Sequence, residues 1–152
     1  MEEILLEGSE LLSLLDMKGM AKVIGLEPEQ LPMPEPFERQ IILDDGRSRL
    51  LEQQYLSVQE DHYEIDPRLD TMLSVMADPR LVIRCWRATP DRDEEVWCWY
   101  FVSGSELIQL ATGGPEQFEM ARLDDIDAAL VQISAIFPLA PMPGSMHYRA
   151  TV

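Results

Sequence analysis

Cysteine and histidine are scarce in this 152-residue chain, at two each: Cys85, Cys98, His62 and His147. Zinc sites gather several such ligands at close spacing, as in Cys-x2-Cys or His-Glu-x-x-His, and neither pattern occurs. No metal and no cofactor is expected. Basic residues are few as well: 12 lysines and arginines against 28 acids give 12 − 28 = −16. Counterion release at phosphates needs clustered cations, so no nucleic-acid partner is expected. An anionic membrane surface would repel the chain. No run approaches the roughly 18 apolar residues of a membrane-spanning helix. The opening Met-Glu-Glu-Ile-Leu-Leu-Glu-Gly lacks the cationic start, apolar run and cleavage site of a signal peptide. The expected compartment is therefore the cytoplasm. Thiols stay reduced there, so Cys85 and Cys98 are expected free, although their strand register could set them side by side.

Catalytic patterns are missing too. The serines include no Gly-x-Ser-x-Gly elbow, Gly113-Gly114 has no phosphate-loop context, and no window satisfies a calcium-binding loop. His62 lies among Glu60, Asp61 and Glu64, where a carboxylate-oriented base can be drawn, but an exposed polar turn is the expected reading. Asp91, Asp93, Glu94 and Glu95 read as a solvated hairpin tip, and Asp124, Asp125 and Asp127 as a helix cap with first-turn charges. Arg47, Arg49 and Arg68 fall on two successive helices within 45–79, yet the charge of −16 speaks against a DNA-reading pair.

What is present suffices for a core. The chain is 46% hydrophobic and long enough for one domain. Residues 3–7 read as a short strand or helix lead-in. Ser9 is the expected cap of a helix marked by Leu11, Leu12, Leu14, Leu15, Val23 and Ile24. Pro28, Pro32, Pro34 and Pro36 make 27–37 an extended connection. A helix is expected over about 45–57, then a ribbon or loop over 58–65. Asp66-Pro67 opens a helix with Leu69, Met72, Leu73 and Met76 on one face, ended by Asp78-Pro79. The period then changes from 3.6 to 2. Strands are expected over 80–88, 95–102, 106–111 and 117–122, an antiparallel meander. A helix over about 125–137 closes a single domain, 1–137, and 138–152 is expected to be an irregular proline-rich tail. Helices, meander and helix in that order give the α+β class.

The second strand is apolar on both sides: Val96, Cys98, Tyr100 and Val102 alternate with Trp97, Trp99 and Phe101. Both faces need cover. Trp, Tyr and Arg are also the residues of binding hot spots, and Arg84 and Arg87 flank Trp86. Trp86, Trp97, Trp99, Phe101 and Arg84 are therefore the candidate protein-binding residues, with one sheet face serving as core and the other as interface.

Several stretches resemble the EspG-type chaperones of type VII secretion: Leu50-Leu51, Tyr55-Leu56, then Tyr63-Glu64-Ile65-Asp66-Pro67-Arg68-Leu69, and Leu73-Ser74-Val75-Met76-Ala77-Asp78-Pro79 before a strand starting at Leu81-Val82. Ser9 to Leu15 and Gly25-Leu26 are similar to that family's leucine-rich first helix and following link. The resemblance spans roughly residues 4–111. It implies a cytosolic, non-enzymatic protein that keeps a secreted PE–PPE pair soluble. Family members are nearly twice this length, with two similar halves about a quasi-two-fold axis, and this chain matches one half. The expectation is thus an adaptor or chaperone for a protein partner, acting as a homodimer through its aromatic sheet face or the adjoining edge. The alternatives are an acidic immunity or inhibitor protein and a small hydrolase-like enzyme built on His62 and nearby carboxylates.

Overall fold

A computed structural model describes residues 2–20, 23–26, 35–89, 94–114, 116–136 and 145–151. Its strands are β1 (Glu2–Glu7), β2 (Leu56–Gln59), β3 (His62–Ile65), β4 (Leu81–Thr89), β5 (Glu94–Ser103), β6 (Glu106–Gly114), β7 (Gln117–Leu123) and β8 (Ser145–Thr151). Its helices are α1 (Gly8–Met17), α2 (Pro36–Glu52), α3 (Pro67–Ala77) and α4 (Ile126–Ile136). Six strands form one antiparallel sheet in the order β1-β7-β6-β5-β4-β8, and β2 and β3 form a separate ribbon. The class is α+β, and the meander from β4 to β7 follows the period-2 pattern closely.

α1 starts earlier than its sequence suggests. Glu7 caps it in a reciprocal box: Glu10 Oε2 accepts from Glu7 N at 2.6 Å while the Glu7 side chain accepts from the third helical residue. Ser9, the expected cap, sits inside the helix and its hydroxyl turns to Asp45. The helix stops at Met17, and Gly19 takes a left-handed φ of 67° just beyond. Val23 and Ile24 therefore lie outside it. α2 begins at Pro36, nine residues before the expected start, because proline is as well suited to a first helical position as to a break. It ends at Glu52, and residues 56–59 form a strand rather than its last turn. Ser13 Oγ donates to Leu43 O at 2.8 Å across the α1–α2 contact. In α3, Asp66 accepts from Arg68 N, and Leu69, Met72, Leu73 and Met76 are buried as the spacing predicts. The other proline-rich residues, 27–34, fall outside those described.

Register divides the main sheet into two faces. Cys85 pairs with Cys98, Trp86 with Trp97 and Arg84 with Trp99. One face presents Ile4, Leu6, Val82, Trp99, Phe101, Ile108, Leu110 and Met120 to α1 and α3, in one core with Leu11, Leu14, Leu69 and Met72. The other presents Cys85, Cys98, Tyr100, Leu107, Ala121 and Leu123, with Ala129 of α4 over them.

The tail needs correction. Residues 145–151 are not irregular: β8 pairs with β4, from Val82↔Thr151 to Ala88↔Ser145. The sheet thus runs past the expected boundary at 137. β4 would otherwise show a row of unpaired backbone groups, and pairing removes that edge. Residues 138–144 lie outside those described.

Candidate functional site

The aromatic group forms a ladder on one sheet face, because alternate residues of β5 and their opposites on β4 point the same way. Trp97 and Trp99 stack at 5.8 Å with 10° between planes, and Trp86 lies 5.5 Å from Trp97. The Arg84 guanidinium stands 5.5 Å from the Trp97 ring centre, a cation–π contact. Gly25 closes the inner end. Its carbonyl accepts from Trp99 Nε1 at 2.8 Å, and a Cβ at its φ of +90° would press on Val82 Cγ1 at 3.0 Å. Trp97 Nε1 donates outward to Glu95 at 3.0 Å.

Burial separates the five candidate residues. Trp99 and Phe101 are fully buried, in one core with residues of α1 and α3, so neither is open to a partner of the folded chain. Trp99 and Phe101, expected among the protein-binding residues, lie in the core instead. The cover comes from stretches far apart in the sequence: α1, the segment around Gly25, and α3. Arg84, Trp86 and Trp97 are half-buried at the outer end of the ladder.

The opposite face holds the second candidate surface. Asp125 Oδ1 accepts from Ala128 N at 2.8 Å, fixing the start of α4. Ala129 is buried against the sheet, while Ile126, Leu130 and Val131 are 46%, 52% and 69% exposed. A helix apolar all round is normally a buried one. The signal is present in the sequence, since no charge occurs between Asp127 and the end of α4, but an apolar run marks a closing helix without showing which of its sides stays uncovered.

On the same sheet face as Ala129 lie two buried free cysteines, directly opposite each other. Burial pushes the Cys85 thiol up to about 12 and raises that of Cys98. A thiol held neutral is a poor nucleophile. Burial likewise raises the Tyr100 phenol. Gln109 Nε2 donates to Cys98 Sγ at 3.4 Å, while Gln109 Oε1 and the Tyr100 hydroxyl have no hydrogen-bond partner of good geometry among the described residues.

His62 is exposed on β3, opposite Gln59. Among the described residues, no three histidines, cysteines or acids gather to hold a metal, and no helix is long and apolar enough to cross a membrane.

No family profile and no curated protein sequence matches the chain. Among solved structures, the fold is similar to the Mycobacterium tuberculosis type VII secretion system chaperone EspG5, solved in complex with a PE25–PPE41 dimer. The TM-score is 0.60 at 15% identity, over 90% of this chain and 52% of that one. This chain therefore spans about half the length of the chaperone it resembles, and at that identity the likeness is one of fold.

Proposed function

We propose that the protein is a non-enzymatic cytoplasmic chaperone or adaptor for another protein, with a type VII secretion substrate as its client. One observation carries this: α4 turns Ile126, Leu130 and Val131 outward from a sheet already covered on both faces. Such a stripe suits the apolar face of a helical client, and its fold relative binds a protein pair. The acidic surface would hold the complex in solution. The test is co-expression with the helical substrate pair of a type VII system from the same genome. Co-elution of the pair with the chain, lost in Val131→Glu, supports the reading. A pair that stays aggregated beside a folded chain overturns it.

The same proposal includes a homodimer, since two copies would supply the length that the related chaperone carries in one chain. Arg84, Trp86 and Trp97 are the contact residues proposed for it, now without Trp99 and Phe101. Sedimentation at micromolar concentration should give about twice 17.4 kDa. A monomer would remove the dimer and leave the client reading standing. The acidic-inhibitor reading makes a different prediction, tight binding of a basic protein that weakens steeply with salt.

A further inference from the structure

The ribbon of β2 and β3 pairs with no other strand among the described residues. A two-stranded ribbon is marginal alone and gains from a third strand. Asp66 N donates to Tyr55 O at 2.9 Å, which sets the alternation of the ladder. Ser57–Glu64 and Gln59–His62 exchange bonds across the ribbon, so Tyr63 and Ile65 turn their backbone N–H and C=O outward. A groove of about 540 Å³ spans the ribbon, lined by Leu56 and Ser57 of β2, Glu64 and Ile65 of β3, and Pro67 and Asp70 of α3. On the ribbon Val58 and Tyr63, opposite each other, are 59% and 43% exposed.

Charge selects the occupant. Open edges are commonly blunted with lysine. Here residues 50–67 contain no lysine or arginine, but do contain Glu52, Glu60, Asp61, Glu64 and Asp66. Asp66 is engaged by Arg68 at 3.0 Å and Asp70 by Lys18 at 2.8 Å. Arg47 stands 6.0 Å from the Tyr63 ring, and its charge is shared with Asp44. Glu64 makes no ion pair among the described residues. A second copy would bring the same acids to the edge and be repelled.

We propose that the outer edge of β3 binds an extended basic segment of a partner protein as a third strand. Main-chain bonds form at Tyr63 and Ile65. A lysine or arginine on the face of the added strand that carries Glu64 enters the groove, its head at Glu64. The proposal rests on the protein-binding reading for the nature of the partner, yet the two fail separately, since Val131→Glu reports on α4 and Glu64→Gln on the ribbon.

The probe is a seven-residue peptide alternating valine with lysine, added to the full chain and followed by NMR and fluorescence anisotropy. Shifts should centre on Tyr63–Pro67. Glu64→Gln, an exposed change that leaves the fold intact by circular dichroism, should weaken binding about fivefold. A backbone N-methylated peptide of equal charge should bind at least about tenfold more weakly. Equal binding by the N-methylated peptide would mean diffuse attraction to an acidic chain and overturn the proposal. So would an unchanged affinity in Glu64→Gln, shifts elsewhere on the molecule, or no binding at millimolar peptide.

Discussion

The two faces of the main sheet are covered to very different depth. On one, Trp99, Phe101, Ile108, Leu110 and Met120 interdigitate with side chains of α1 and α3, all at most a few per cent exposed. On the other, α4 is the one helix packed there among the described residues, sharing a cluster with two thiols and a phenol, and it shows three large apolar side chains to solvent. Dense packing makes every removed atom costly, because neighbours cannot collapse into the space. A thin layer over imperfectly satisfied polar groups has less to lose. The first face holds the fold together, and the second leaves apolar surface exposed.

The difference breaks down if a large truncation on the thick face is cheap. Trp99→Ala removes the innermost rung of the ladder and the bond to Gly25. It should cost about 4 kcal/mol in urea unfolding. A loss below about 1 kcal/mol would show that stability resides elsewhere. Gly46→Ala tests the same side through its helices. The added methyl would overlap the Ser9 carbonyl oxygen and the Ser13 hydroxyl and stand 2.7 Å from Ser9 C. Backbone cannot swing away as a side chain can, so α1 and α2 must part. The expected cost is about 2–3 kcal/mol, read from the same urea midpoints.

The thick face was only half legible in the sequence. Leu69, Met72, Leu73 and Met76 announced α3, and the alternation of Trp97, Trp99 and Phe101 announced a strand. The depth of cover over Trp99 was not legible. It depends on β1 pairing with β7, over a hundred residues away, and on α2 starting at a proline that also reads as the end of a proline-rich link. β8 was hidden for a similar reason: Pro138, Pro141 and Pro143 dominate the reading of the tail, and strand pairing is not a local property. The exposed side of α4 was missed because periodicity marks which residues are apolar, and only tertiary structure decides how many of them find cover.

The thin face should be tolerant. Tyr100→Phe removes a buried hydroxyl that has no well-placed partner among the described residues and keeps the ring. Deleting an unsatisfied polar atom spares its desolvation cost, so stability should change by no more than about 0.5 kcal/mol or rise slightly. A loss above about 1.5 kcal/mol would mean that the hydroxyl belongs to a working network with Cys98 and Gln109, and that the two faces are more alike than their packing suggests.

The smallest expected effect compares one carboxyl from each side. Burial raises the Glu119 carboxyl on the thin face, with Glu3 adding to it, and burial raises the Glu10 carboxyl at the start of α1. In each case the folded chain keeps a proton that the unfolded chain has already released. Their contribution to stability is therefore fully present below the ordinary glutamate range and is lost as pH rises through the folded value. Glu119→Gln should leave the urea midpoint unchanged near about pH 4 and raise it near about pH 7. Glu10→Gln should flatten the profile in the same direction, with an additional loss at both pH values. Its two oxygens accept from Glu7 N at 2.6 Å and Gln53 Nε2 at 2.8 Å, and an amide gives up one of those acceptors unless Gln53 turns over. The thin-face carboxylate can thus be neutralised without penalty, whereas the buried one is tied into the helix cap. Parallel profiles for the native chain and both variants would show that neither carboxyl senses its surroundings as argued. A Glu119→Gln midpoint that falls at both pH values would place that carboxylate in a structural role on a face that has so far shown none.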